Sequence, residues 1–318
     1  MSEYISAFKS SKGESQYFNA YDAALKLWPV PYEEFDVTTS YGRTHVIACG
    51  AKDSSPLILL HGGYASSTMW FPNIADLSSR FHVLAFDTVG EPGRSIPTRQ
   101  NASKDDLANW LVEALDELKI TQTHVVGLSR GGWLALNLAI HAPERVMKIV
   151  LLSPAASFIM LNRFFSTVVG SVMHIPTRFV AKMALYSWVT KGFVVNDTYA
   201  EQFILGLQNW NWEMGRNGYS GVMPSVFSDD ELRRIKNPVL MLIGDQDRLN
   251  PPKVLDQARS LIPQIETGII PNAGHMLSIE QPNLVDERLL RFLEEDNQHD
   301  KGEAKLERDL QVLTNLRN

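Results

Sequence analysis

Short apolar runs recur along the chain, separated by stretches of helical periodicity. Pro56-Leu-Ile-Leu-Leu-His61, Phe81-His-Val-Leu-Ala-Phe-Asp87, Thr123-His-Val-Val-Gly127, Met147–Leu152 and Val239–Ile243 are near-continuous in apolar residues. Such runs predict strands covered on both faces, because a half-exposed strand alternates apolar with polar positions. Phe35–Thr39 and Thr44–Ala48 are shorter β-rich runs joined by the turn sequence Ser-Tyr-Gly-Arg, and Thr267–Ile270 is a weaker eighth strand. The clearest helix runs from Ser103 to Leu118. Its Leu107, Trp110, Leu111, Ala114, Leu115 and Leu118 recur at helical spacing, and Ser103 with Asp106 predicts an N-cap with an acidic partner, a variant of the capping box. Strands alternating with helices predict βαβ units and a mostly parallel sheet, hence an α/β fold.

The alternation breaks between Ala155 and Asp230, where Phe, Met and Trp occur without strand runs, and resumes at Asn237-Pro-Val-Leu. The chain therefore divides into an N-terminal arm with one helix (1–33), a core in two pieces (34–154 and 231–296), a helical insertion (155–230) and a charged C-terminal tail (297–318). Leu306, Leu310, Leu313 and Leu316 predict an amphipathic helix in the tail. The 318 residues would by length alone fit two domains, or one large α/β domain with an insertion. The insertion makes them one interrupted α/β domain. A net charge of −6 gives no global support for a nucleic-acid surface. The lone cysteine, Cys49, excludes an intrachain disulfide and a Cys-based zinc site, and suits a reducing, cytoplasmic setting. The first residues carry no apolar signal region, and the apolar stretch Ala155–Met173 is broken by Asn162 and Arg163, so no membrane insertion is expected.

The candidate chemistry lies at strand ends. Gly127-Leu-Ser129-Arg-Gly131 fits G-x-S-x-G directly after a buried strand and before a helix. So tight a reversal strains the central residue, and glycines two before and two after it remove clashing Cβ atoms. Ser129 is the candidate nucleophile. Leu60-His61-Gly62-Gly63-Tyr64 also follows a strand, and its glycines allow backbone N–H groups to face a ligand; Gly63 and Arg130 are the candidate oxyanion donors. Of the eight histidines, His61, His82 and His124 belong to buried strands and read as structural. His275, in Pro271-Asn-Ala-Gly-His-Met after the eighth strand, is the best-placed base. The orienting acid belongs between Ser129 and His275 in chain order. The loop Gly244-Asp-Gln-Asp247-Arg offers Asp247 first and Asp245 second, whereas Ser153-Pro-Ala-Ala-Ser has no carboxylate.

Together these motifs resemble the α/β-hydrolase superfamily, over roughly Phe35 to Leu293. Leu27-Trp-Pro-Val, Thr44-His-Val-Ile-Ala, Ser67-Thr-Met-Trp, Pro72-Asn-Ile-Ala-Asp and Asn272-Ala-Gly-His-Met-Leu-Ser-Ile-Glu-Gln-Pro are similar to stretches of the Bacillus carboxylesterases that hydrolyse naproxen esters. The resemblance implies an eight-stranded, mostly parallel sheet with a helical cap between strands six and seven. It also implies a serine carboxylesterase that takes a small-molecule ester and needs no metal or cofactor. The same catalytic residues would serve a C–C or amide hydrolase, an acyltransferase or a perhydrolase, and the fold also occurs in non-catalytic binding modules; homo-oligomerisation is left open. Three departures from the family pattern stand out. Asp87-Thr-Val-Gly90-Glu-Pro-Gly93-Arg-Ser95 carries one residue more than Asp-x-x-Gly-x-Gly-x-Ser, and the oxyanion loop reads Gly-Gly-Tyr rather than three glycines. An arginine follows the nucleophile, as in fluoroacetate dehalogenases, where it holds a substrate carboxylate. Those enzymes use an aspartate nucleophile, so Arg130 is expected to pack along its helix or pair with a surface acid. Within the insertion, Phe158, Met160, Phe164, Phe165, Met173, Trp188, Trp210, Trp212, Met214 and Met223 supply apolar surface for packing and for a pocket over Ser129.

Overall fold

All eight expected strands are present in the computed structural model, which describes residues 6–100, 103–160, 177–211, 213 and 223–295. They are β1 (Glu33–Thr39), β2 (Gly42–Cys49), β3 (Pro56–Leu60), β4 (His82–Phe86), β6 (Thr123–Leu128), β7 (Val146–Leu152), β8 (Val239–Gly244) and β9 (Ile265–Ile270). A two-residue strand, β5 (Ile96–Pro97), pairs with β2 and is too short to leave a periodic signal. The sheet order is β1-β2-β4-β3-β6-β7-β8-β9, antiparallel at β1–β2 and β2–β4 and parallel from β4 onward.

The apolar runs serve two cores because successive side chains leave a strand on opposite faces. In β3, Leu57 and Leu59 join one cluster while Ile58 and Leu60 join the other; in β8, Leu240 and Leu242 face away from Val239 and Met241. Helices cover both faces, in chain order α1 (Ser11–Leu25), α2 (Ile74–Ser78), α3 (Lys104–Glu117), α4 (Arg130–His141), α5 (Arg178–Ser187), α6 (Asp197–Asn209), α7 (Asp229–Arg233) and α8 (Lys253–Leu261). Residues 282–295 form one more. The expected cap of α3 is a full capping box: Asp106 N–H donates to Ser103 Oγ at 3.1 Å, and Ser103 N–H donates back to the Asp106 carboxylate at 3.0 Å.

The described part of the insertion, between β7 and β8, includes α5 and α6. The N-terminal arm packs directly on it. Asn209 lies so close to Gly13 of α1 that a Cβ there would come within 2.5 Å of its Oδ1, and Gly206 of α6 sits against Tyr17. Lys9 N–H donates to the Asn209 carbonyl and Asn211 N–H to the Ala7 carbonyl, each at 2.8 Å. The buried amide of Gln202 joins Tyr17, Ser66 and Thr68, so arm, insertion and sheet share one polar network. Among the described residues no helix is long and apolar enough to cross a membrane. The expected tail helix, and Phe164, Phe165, Met173, Trp212 and Met214, lie outside the described residues.

Candidate active site

The order of the sheet reverses direction at β3 and β6, which pair with Leu60 beside Gly127. Ligands of open α/β sheets bind outside the carboxyl ends of the strands at such a switch point. Both glycine-bearing loops of the sequence leave from it.

Ser129 stands between β6 and α4 with φ 51° and ψ −111°, a conformation that L residues rarely adopt. The surroundings hold it there. Its N–H donates to the Leu152 carbonyl at 2.8 Å, and its carbonyl accepts from Ala155 N–H at 3.0 Å and Trp133 N–H at 3.1 Å. The flanking glycines are sterically required: a Cβ on Gly127 would lie 2.2 Å from the Gly131 carbonyl, and one on Gly131 would lie 2.0 Å from the Leu60 oxygen.

His275 follows β9, and its Nδ1 lies 3.1 and 3.2 Å from the two carboxylate oxygens of Asp247. Both side chains are buried. The structure thus pairs His275 with Asp247 and turns Asp245 to another task, accepting the Ala273 N–H at 3.1 Å to tie the two loops together. Burial works to raise the Asp247 pKa. The facing His275, by charge and hydrogen bond, and the Leu249 N–H outweigh it, and the carboxyl is held below its ordinary value. Asn250 Nδ2 donates to the second oxygen at 3.1 Å, a partner that no sequence pattern announced. The His275 loop is also bound to the insertion. His275 N–H donates to the Trp188 carbonyl at 2.8 Å, while Glu280 accepts from Gly274 N–H at 2.9 Å and Thr190 N–H at 2.7 Å.

Ser129, His275, Gly63 and Arg130 line one cleft. Its remaining wall is mainly apolar, with Met69, Leu128, Trp188, Phe203 and Met223. Trp188 and Met223 were among the expected lining residues, and Phe203 was not. Phe158 packs into the sheet core and Met160 is exposed, while Trp210 packs on Tyr64 and donates to the Gly90 carbonyl at 2.9 Å. In the Gly62–Tyr64 loop, Gly62 N–H points to Met69 Sδ at 3.5 Å and Tyr64 N–H donates to Glu91 Oε2 at 2.8 Å. Between them the Gly63 N–H has no partner among the described residues. Of the presumed structural histidines, His61 accepts the Thr88 N–H through Nε2 at 2.9 Å, and His124 is buried, which pushes its pKa down to about 4.

Arg130 departs from expectation. It faces a buried acid: Glu91 places Oε1 3.2 Å from the Arg130 Nε. Glu91 is a residue that sequence reasoning missed, and the longer Gly90–Gly93 loop was the one signal that pointed to it. No group of three or more His, Cys, Asp or Glu side chains among the described residues is arranged to hold a metal ion.

A switch-point cleft with a serine on a strained strand-to-helix turn defines a class of protein, and sequence comparison agrees with it. Residues 57–288 match the model of the alpha/beta hydrolase family, and the chain belongs to that family. It is 38% identical over 280 residues to the uncharacterized carboxylesterase nap of Bacillus subtilis, covering 87% of this chain and 92% of that one. Among solved structures it is similar to the naproxen esterase of Bacillus subtilis, with a TM-score of 0.84 and 38% identity over 90% of this chain and 99% of the other. The carboxylesterase CesB of the same organism matches with a TM-score of 0.83 and 35% identity, over 89% of this chain and 98% of that one.

Proposed function

We propose that the chain is a serine carboxylesterase that hydrolyses small, largely apolar carboxylic esters through an acyl-enzyme intermediate. The observation that carries this reading is the convergence of Ser129, on its strained turn, with the buried His275–Asp247 pair on one apolar cleft. The two relatives named as carboxylesterases, and the naproxen esterase among the solved structures, support the same activity.

In this reading Ser129 Oγ attacks the ester carbonyl carbon while His275 takes the hydroxyl proton. The carbonyl oxygen becomes an oxyanion, received by the N–H groups of Gly63 and Arg130. Collapse of the tetrahedral intermediate breaks the bond to the alcohol oxygen, which collects the proton from His275. Water then attacks the acyl carbon and gives a proton to His275. Release of the acid breaks the bond to Ser129, and the proton returns to Oγ. Asp247 fixes the Nδ1–H tautomer, leaving Nε2 to act as base.

In this reading the described part of the insertion caps the cleft. Trp188, Phe203 and Met223 shut out water and favour uncharged acyl and aryl groups over charged ones. The single buried thiol, Cys49, supports a cytoplasmic setting, which cell fractionation tests. Turnover of p-nitrophenyl esters of graded acyl length tests the function itself. Ser129→Ala is expected to abolish turnover while leaving the fold intact, and a fluorophosphonate is expected to label Ser129. Near-wild-type turnover by Ser129→Ala rejects the assignment.

A further inference from the structure

We propose that Glu91 is a positioning residue that sets the separation of the two oxyanion donors; this rests on the esterase reading above. Those donors come from different elements, Gly63 from the loop after β3 and Arg130 from the start of α4, so backbone continuity does not fix their spacing. Glu91 joins them. One carboxylate oxygen accepts the N–H of Tyr64, the next residue after Gly63, at 2.8 Å, and the other faces Arg130 Nε at 3.2 Å. The stem of Arg130 in turn backs onto Gly63, where a Cβ would lie 3.7 Å from its Cδ. The carboxylate also holds Tyr64 in a left-handed conformation, φ 64°, which a tyrosine does not favour.

Glu91 is itself fixed from three sides. Its N–H donates to the Thr88 carbonyl at 3.1 Å, the neighbouring Gly90 carbonyl accepts from Trp210 of the insertion, and Arg94 N–H is held by the buried Asp87. Glu91 is 3% exposed and Arg130 5%. A buried ion pair gains little stability over apolar residues of the same volume. This one touches both halves of a site whose donors must sit within a few tenths of an ångström of their target. The extra residue in the Gly90–Gly93 loop thereby gains a use, because it carries this carboxylate to the oxyanion loop.

Glu91→Leu and Glu91→Gln in the full chain test the proposal, with kcat and KM measured on an ester that the wild type hydrolyses. An aryl boronic acid, which adds to a serine as a tetrahedral anion, provides the second readout. Glu91→Leu is expected to lower kcat on the order of 10²-fold with KM nearly unchanged, and to weaken the boronate in parallel with kcat/KM. Glu91→Gln retains an acceptor for the Tyr64 N–H and is expected to lose roughly 10-fold in both. A folded Glu91→Leu with wild-type kcat overturns the proposal, as does a rise in KM alone. If Glu91→Leu does not fold, wild-type kcat and boronate affinity in Glu91→Gln overturn it. Wild-type protein that neither turns over esters nor takes a fluorophosphonate label on Ser129 defeats the esterase reading instead.

Discussion

Adding one methyl group at Gly131 should cost activity and stability together, and the structure gives the size of the effect. The new Cβ would lie 2.0 Å from the Leu60 carbonyl oxygen, 2.5 Å from its carbon and 2.8 Å from the His61 oxygen. All three are backbone atoms at the end of a central strand, so no side-chain rotation relieves the clash. Van der Waals contact requires the start of α4 and the end of β3 to separate by roughly 1 Å or more. Overpacking on this scale costs about 1–3 kcal/mol. The same shift pulls the proposed oxyanion loop away from Ser129 and the Arg130 N–H, and a misplacement of about 1 Å in a preorganised site costs on the order of 10²-fold in rate. Gly63→Ala is the control for stability. Its Cβ would meet Arg130 Cδ at 3.7 Å, an ordinary contact, so its melting temperature should stay near that of the wild type. Differential scanning fluorimetry with steady-state kinetics on a chromogenic ester measures both quantities. Gly131→Ala with an unchanged melting temperature and kcat within about twofold of wild type would refute the reasoning from Cβ contacts.

Other consequences follow from single residues. Ser129→Gly should abolish ester turnover yet raise the melting temperature, because it releases a φ of 51° whose strain costs about 1–3 kcal/mol; a lower melting temperature would show that the turn is not strained. Glu280→Ala should destabilise by about 2–4 kcal/mol in urea titration, since Gly274 N–H and Thr190 N–H both lose their buried acceptor; no change in midpoint would mean that water replaces it. Burial pushes the Asp286 carboxyl up to about 7, with Asp76 adding to the rise and the Asn73 hydrogen bond opposing it. A raised carboxyl pKa favours the folded state most below its unfolded value of 3.8, and that contribution is lost as pH rises through about 7. Asp286→Asn should therefore gain stability over wild type at pH ~8 and lose that advantage near pH ~4, whereas an equal effect at both would contradict the shift.

Much of this fold was legible because its signals are local. The apolar runs of β3, β4, β6, β7 and β8 specify strands covered on both sides, and the Ser103–Asp106 box marks the start of α3 to the residue. β9 was read two residues short, since its Ile265-Glu-Thr-Gly start mixes apolar and polar positions, and β5 left no pattern. At the site, the glycine spacing about Ser129 follows from a backbone reversal that involves only neighbouring residues. The insertion was recognisable as a break in rhythm, but its aromatic residues gave no clue to their destinations. Trp188 reached the cleft, Trp210 became a brace for Tyr64 and the Gly90 loop, and Phe203 entered the cleft unforeseen.

The sequence by itself determined the strand-and-helix alternation, the strained serine turn and a short set of candidate partners for it. Those features depend on side-chain periodicity and steric rules acting over a few residues. Tertiary structure decided which candidates meet. It set Asp247 rather than Asp245 against a histidine 28 positions away, and it buried Glu91 between the Gly62–Tyr64 loop and Arg130. Both outcomes depend on where loops from separate strands converge once the sheet has formed. Two aspartates of one loop, separated by a single residue, are then distinguished by burial and by the partners within reach.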